Sequence, residues 1–338
     1  AIAFNALNVG RYKLAAACIG GSKIGIEHAV KYALERRQFG QAIAHFDAIK
    51  GKIADMTVRI YAADAMLYRT VGLIQDTIDG LDKSDPEYYK KMAEATERFA
   101  IEASMAKVFG SESSNLIVDE ALQIHGGNGF TEEYPLARAY RDDRINRIWE
   151  GTNEINRAIV TGYMMKKVLM EEISLRDYLK GVDDFLATES PDIAEDLFQA
   201  EKSALESAKR LASLVFQEAL CEYGQDLKHE QQLSEALADI FTYIYTAGSV
   251  ISRARQSQSS NGISNMSSVI ARIFTAESLL EVKSLSNICL NKIFMETIPE
   301  DFKDTVIQLE SRMTLNTDTI SLKQSLADFM YTKNNYPF

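Results

Sequence analysis

Cysteine, histidine, proline and tryptophan are all scarce in this chain, and each shortage removes a class of protein. Three cysteines, Cys18, Cys221 and Cys289, are spread over 338 residues. They read as buried thiols in a reducing compartment and exclude a disulfide frame or a Cys-x-x-Cys metal site. The four histidines, His28, His45, His125 and His229, do not fall at ligand spacing, so no metal is expected. With only 5 Pro and a hydrophobic content of 46%, the chain is not disordered. It has no apolar run of about 18 residues, the length a membrane span needs. Nor is there the basic stretch followed by an apolar run that marks a signal peptide. Lys and Arg number 37 against 48 Asp and Glu, a net charge of −11, which speaks against nucleic acid as a partner. P-loop and Gly-x-Ser-x-Gly motifs are missing as well. Glycine is scarce in one half only. Fourteen of the 18 lie before residue 165, and Gly181, Gly224, Gly248 and Gly262 follow it, so the two halves are different kinds of object.

What is present is helical. Lys23, Glu27, Lys31 and Glu35 recur every four residues as a solvated stripe with ion-pair spacing, with Ile19, Ile26, Val30 and Ala33 away from it. Gly20, Gly21 and Gly25 cost stability in that helix and predict the close approach of another backbone. A second helix carries Ile49, Ile53, Met56, Ile60, Ala63 and Leu67 in steps of three and four. Asp82–Pro86 is a loop, because the residue before proline disfavours helix. A third helix is predicted from about Glu87 to His125, and a short piece follows Pro135. A fourth runs from about Asn153 to Met170 with Thr152 as N-cap. Four such helices predict an antiparallel bundle over residues 1–170. Residues 171–338 repeat the helical pattern, as in Ala208, Leu211, Val215 and Ala219 or Leu233, Leu237, Ile240 and Ile244. They read as a second helical domain. Gln256–Gly262 is a polar linker, with further breaks at Asn291–Pro299 and Asn316–Thr319. No alternating strand pattern is visible, and the fold class is all-α.

Taken singly, the candidate functional residues have plain structural readings. Gly126-Gly127-Asn128-Gly129 stops a helix or cradles a phosphate. Glu150, between the only Trp and a Gly, is an acid before a helix N-terminus, where the dipole favours it. Arg36 and Arg37 sit at a helix C-terminus, where the dipole favours cations.

Read in order, four blocks change that reading: Asn8-Val9-Gly10-Arg11, Glu35-Arg36-Arg37-Gln38-Phe39-Gly40, Gln123 to Phe130 (QIHGGNGF) and Arg147 to Ile155 (RIWEGTNEI). Together with Tyr134-Pro135 and Arg141-Asp142, they make residues 1–165 resemble the C-terminal helical domain of the acyl-CoA dehydrogenase family. The resemblance implies an FAD enzyme that oxidises acyl-CoA thioesters to trans-2-enoyl-CoA in fatty-acid β-oxidation. Glu150 is the implied catalytic base. Burial beside Trp149 and an acyl chain is expected to raise its pKa. The thioester oxygen is implied to be polarised by the Glu150 backbone N–H and a flavin hydroxyl, with Gly151 allowing close approach. Arg36, Gln38 and Phe39, with Gln123, Gly126 and Gly127, match contacts to the FAD of a neighbouring subunit. Thr152 and Glu154 match contacts to the subunit's own FAD, and Asn8 and Arg11 match positions near bound CoA.

A shared FAD implies a homodimer or tetramer, and the family passes its electrons to an electron-transfer flavoprotein. The helical extension resembles the very-long-chain branch, whose extra domain assists dimerisation and contact with a membrane surface. Such contact needs a basic amphipathic helix, and Arg253–Ser268 offers only Arg253 and Arg255. The family's N-terminal helical and β-barrel domains do not precede Ala1, so the chain alone is expected to bind FAD weakly and to be inactive. Bacterial cytoplasm is the expected location, with the mitochondrial matrix or inner-membrane surface as the alternative. Two other functions fit parts of the pattern: an acyl-CoA oxidase, and a non-catalytic helical oligomerisation module.

Overall fold

A computed structural model describes residues 2–188, 197–257, 263–295 and 297–338. The first segment holds four long helices, α1 (Ile2–Glu35), α2 (Asp47–Asp79), α4 (Ala100–His125) and α7 (Asn153–Leu169), with shorter α3 (Tyr88–Arg98), α5 (Gly127–Phe130) and α6 (Leu136–Asp143) between them. The second half of the chain, from about residue 171, holds α8 (Leu175–Lys180), α9 (Val182–Ala187), α10 (Gln199–Tyr223), α11 (Gln231–Gln256), α12 (Ile263–Phe294), α13 (Glu300–Arg312) and α14 (Thr319–Met330).

The registers of the long helices fix their directions. A Cβ placed on Gly110 of α4 would meet Ala15 of α1 at 3.1 Å, and one on Gly25 of α1 would meet Ile117 of α4 at 3.6 Å. Further along, Tyr32 of α1 stacks on His125 of α4 with ring centroids 4.1 Å apart. The paired numbers rise together, so α1 and α4 run parallel. Arg59 of α2 lies over Phe109 while Lys52 pairs with Glu120, so α2 runs antiparallel to α4. Small residues at the α1–α4 crossing let the backbones approach where larger side chains would hold them apart.

The halves share a hydrophobic core. One buried cluster combines Ile26, Ile53, Met56 and Ile117 from the bundle with Val250, Ile270, Phe274 and Leu326 from the second half. A second cluster, built from α8 to α13, packs against Met164, Met165 and Val168 of α7. Charges staple the same seam. Arg157 of α7 donates to Glu112 of α4 at 2.8 and 3.0 Å and to Asp239 of α11 at 2.7 Å. Lys23 of α1 and Arg253 of α11 converge on buried Asp64 of α2 at 2.8 and 3.3 Å. Arg253 therefore faces the core instead of presenting its charge to a surface.

Several expectations need correction. The third helix is broken at Phe99 (φ −102, ψ 26), which separates α3 from α4; neither proline nor glycine marks the point. Two strands exist, Arg37–Gln38 and Gln41–Ala42, paired antiparallel in a minimal hairpin too short to show a period of two. Its turn places Phe39 at φ 50 and Gly40 at φ 86, the positive pair that suits a tight hairpin. Among the described residues Gly20 and Gly21 meet nothing within 4 Å and face outward, and Gly25 meets only the Ile117 side chain at an ordinary 3.6 Å, so the expected close approach of a backbone occurs at none of the three. Cys18 and Cys289 are buried, but Cys221 is exposed. Asn291 lies inside α12, and that break comes after Phe294. Of the polar linker, residues 258–262 lie outside the described residues. Thr152 does cap α7, its hydroxyl accepting from Ile155 N–H at 3.3 Å. Among the described residues no helix is long and apolar enough to cross a membrane.

The α1–α4 crossing yields a stability test. The space over Gly110 is bounded by Ala15 Cβ and Cα at 3.1 and 3.2 Å, and helix backbone cannot yield as a side-chain tip can. Gly110→Val is expected to cost about 2–3 kcal/mol, read as a lower urea midpoint with an unchanged denaturant slope.

Candidate active site

Glu150 sits in the turn between the 3₁₀ segment Arg144–Arg147 and α7. Both turn residues have left-handed backbones, φ 58 at Glu150 and φ 82 at Gly151. For Gly151 that costs nothing, but for a glutamate it stores about 1 kcal/mol or more, which the surroundings must supply. The surroundings are buried and polar. Asn156, fully buried, directs its side-chain amide at the carbonyls of Glu150, Gly151 and Thr152, at 3.4, 2.8 and 3.0 Å. Lys107, also fully buried, donates from Nζ to the Gly151 carbonyl at 2.8 Å and to Asn153 Oδ1 at 2.7 Å. Asn153 in turn donates to Ser111 and to Glu112. The turn is thus held from below by its carbonyl oxygens.

The Glu150 side chain lies across α1. A Cβ placed on Gly10 would be 2.3 Å from Glu150 Oε2 and 2.6 Å from its Cδ, so the carboxyl group occupies the volume that any other residue at position 10 would fill. Beside it, Arg11 is 4% exposed; its Nη1 donates to Asn8 Oδ1 at 2.7 Å, and its Nε is buried with no partner among the described residues. Burial lowers the Arg11 pKa, while Tyr163 and Glu150 act in the opposite direction. Burial likewise pushes the Lys107 amine down to about 8 and the neighbouring Cys18 thiol up to about 12. Trp149 is 51% exposed and donates its indole N–H to Asn146. With Ile145 and Ile148, also exposed, it leaves open apolar surface on this stretch.

The expected site residues fall into two groups. Asn8, Arg11, Trp149, Glu150, Gly151, Thr152 and Glu154 gather around the turn. Asn8 and Arg11 are buried behind it, whereas Glu154 is exposed at the start of α7. The Glu154 carboxyl is held below its ordinary pKa by its own backbone N–H and by the Thr152 hydroxyl. A cleft of about 160 Å³ lies beside Glu154 and Ile155, where α7 meets Leu227 and Lys228 of the second half.

Arg36, Gln38, Phe39, Gln123, Gly126 and Gly127 form the other group, where α1 and α4 both end. All six are exposed, Phe39 by 91%. Gly126, at φ 57, turns the chain out of α4, and Asn128 ties the turn to Tyr32 of α1 at 2.9 Å. Among the described residues Arg36 pairs with no carboxylate, which leaves its charge for an outside anion. The stretch of α1 from Gly10 to Glu35 is about 38 Å long at 1.5 Å per residue, so the groups stand at opposite ends of the bundle.

Three supports of the turn were not anticipated: Lys107, Asn156 and the socket at Gly10. The only signal for Lys107 is a lone lysine on a helix face otherwise made of Ala103, Ala106, Gly110 and Ser111.

Comparisons with known proteins agree with the sequence blocks. Two family profiles, each described as "Acyl-CoA dehydrogenase, C-terminal domain", match residues 1–165 and 207–297. A Bacillus subtilis protein described as a probable acyl-CoA dehydrogenase is 40% identical over 286 residues, covering 84% of this chain and 48% of its own length. The very long-chain specific acyl-CoA dehydrogenase of Bos taurus mitochondria is 32% identical over 282 residues, 76% of this chain and 40% of its own. A solved acyl-CoA dehydrogenase from Bacillus anthracis, complexed with FAD, superposes with a TM-score of 0.93 and 33% identity, covering all of this chain and 58% of that one. The chain spans about half the length of the curated relatives it matches. With both halves matched in sequence and in fold, the chain belongs to the acyl-CoA dehydrogenase family of flavoprotein oxidoreductases and corresponds to its all-α C-terminal region.

Proposed function

We propose that the protein containing this chain is an FAD-dependent acyl-CoA dehydrogenase acting on long-chain acyl-CoA thioesters, and that Glu150 is its base. The observation that carries this reading is the Glu150 carboxyl group lodged in the Gly10 socket and borne on a turn whose backbone is pinned from beneath. General-base catalysis requires a carboxylate at a fixed point with its backbone out of the way. In the proposed reaction Glu150 takes the proton from the carbon next to the thioester carbonyl. The negative charge that develops on the carbonyl oxygen is met by the backbone N–H of Glu150. FAD, when bound, accepts the hydrogen leaving the next carbon as hydride.

The residues present suit that cofactor. Thr152, half-buried, and Glu154, exposed, both at the start of α7, would hold the flavin of this subunit. Arg36, exposed and without a carboxylate partner among the described residues, suits the pyrophosphate of a second flavin, with Gln38, Phe39, Gln123, Gly126 and Gly127 beside it. Because the groups stand about 38 Å apart along α1, one flavin does not reach both. The reading therefore requires a homodimer or tetramer in which each copy completes its neighbour's cofactor site. Asn8 and Arg11 support the turn on the CoA side. An electron-transfer flavoprotein is the expected acceptor and the bacterial cytoplasm the expected location. The relation to the very-long-chain enzyme supports long-chain substrates, with the extension serving assembly.

Two substitutions in the flavin-loaded, full-length enzyme test the assignment. Glu150→Gln keeps the shape and removes the base; turnover of a long-chain acyl-CoA is expected to fall by about 10³-fold or more, measured by dye reduction, with flavin content retained. Near-normal turnover would remove Glu150 from the role. Gly10→Ala leaves the base in place but fills its socket, so the carboxyl must shift by more than 1 Å; kcat is expected to fall about 100-fold, with KM changed far less.

A further inference from the structure

Lys107 is a buried group that the proposed reaction does not use. It sits on α4 among small residues, with no exposed surface, and no carboxylate lies within ion-pair distance of it among the described residues. A buried ammonium without a counter-ion is costly, and a hydrophobic residue of the same length would fill the space. What Lys107 does have is two acceptors, the Gly151 carbonyl at 2.8 Å and Asn153 Oδ1 at 2.7 Å. Both belong to the turn and first helical position that follow Glu150. The titratable groups facing it are the Cys18 thiol, neutral at these pH values, and Arg11 from α1, Glu112 from its own helix and Glu154 from α7.

The Glu150–Gly151 turn needs such a clamp. Both residues are left-handed, and a glutamate relaxes readily out of that conformation. A trans peptide is planar, with C=O and N–H on opposite sides. Fixing the Gly151 oxygen inward therefore fixes the orientation of the following peptide, and with the Asn156 bonds it closes the rotations by which the turn would relax.

We propose that Lys107 is a positioning residue for the base: its ammonium anchors the Gly151 carbonyl and the Asn153 side chain, and so keeps Glu150 left-handed with its carboxyl over Gly10. The inference rests on Glu150 being the base. The amine also carries a pH signature. Burial holds it near 8, so it is charged below that value and neutral above. On neutralisation both bonds lose their charge assistance, and charge-assisted bonds are about twice as strong as neutral ones. The turn is therefore held firmly below pH 8 and loosens as the pH rises through it.

The test has one arm that needs activity and one that does not. In the flavin-loaded enzyme, Lys107→Met is expected to lower kcat about 30-fold or more while KM stays within about threefold; the wild type is expected to lose turnover above pH 8, and the variant to lack that alkaline limb. Unchanged kcat and an unchanged alkaline limb would overturn the proposal. In hydrogen exchange, Lys107→Met should raise the exchange of residues 148–156 at least tenfold, on the order of the loss of one anchoring contact, with the middle of α2 still protected. If that variant does not fold, the wild type decides: exchange of the same residues, corrected for intrinsic rate, should rise between pH 7 and 9.5. A loop equally protected at both pH values overturns the clamp whatever the reaction is. Failure of Glu150→Gln to impair a normally active enzyme would instead overturn the assignment of the base while leaving the exchange result intact.

Discussion

One guanidinium governs how the two halves meet. Arg157 of α7 bonds Glu112 on α4 and Asp239 on α11 at once, and it is largely withdrawn from solvent. Burial works against its charge, yet the Glu112 and Asp239 contacts outweigh that and hold its pKa above the ordinary arginine value. Removing one partner of a buried pair leaves the other uncompensated, a penalty of several kcal/mol when fully buried and less here, where Glu112 and Asp239 keep some contact with water. The position of α7 against both halves follows from that constraint. So does the turn at its head, because Glu112 also accepts from Asn153, the residue Lys107 holds. A continuous set of hydrogen bonds joins α11 of the extension to the turn that carries Glu150.

That network ties the extension to the turn as well as to the bundle's core. The shared hydrophobic cluster puts Phe274 of α12 against Phe109 of α4, rings 5.9 Å apart and edge to face. Lys323 of α14 bridges Asp55 of α2 and Glu277 of α12. The bundle is thus backed on its α2 face by α11, α12 and α14, whereas the α1 face with Gly20, Gly21 and Ile24 stays open. A face of small residues and a face of interlocked charges make different neighbours, and the glycine asymmetry of the sequence reflects that difference in part.

Much of this was legible in the sequence because it depends on short-range rules. Helical periodicity located α2, α7, α10 and α11, and Thr152 announced the start of α7 through its hydroxyl. The turn at Trp149-Glu150-Gly151 was visible as a block. Features that depend on packing were not. The break at Phe99 has no proline or glycine to signal it. The hairpin at Arg37–Ala42 is two residues a side, below the length at which alternation exists. Lys107 reads as an ordinary polar residue until a neighbouring helix removes its water, and the socket at Gly10 appears only when a chain segment 140 residues later folds across it. Glycines were over-read in the opposite direction: among the described residues Gly20 and Gly21 have no close neighbour, and Gly25 meets only a side chain.

The parallel pairing of α1 with α4 has a further consequence. Contacts at Ala15–Gly110, Gly25–Ile117 and Tyr32–His125 interlock the helices at three heights, so α1 cannot slide on its partner by less than a turn. The helix is then a gauge of phase as well as of length. Each residue advances it by about 100°. Inserting or deleting one residue between Arg11 and Tyr32 would swing the Arg36–Phe39 hairpin about a quarter turn around the bundle axis relative to Glu150, with every side chain still present. Replacements on the open face leave that angle untouched. On that open face the chain can vary in composition, but over the whole stretch scarcely at all in count.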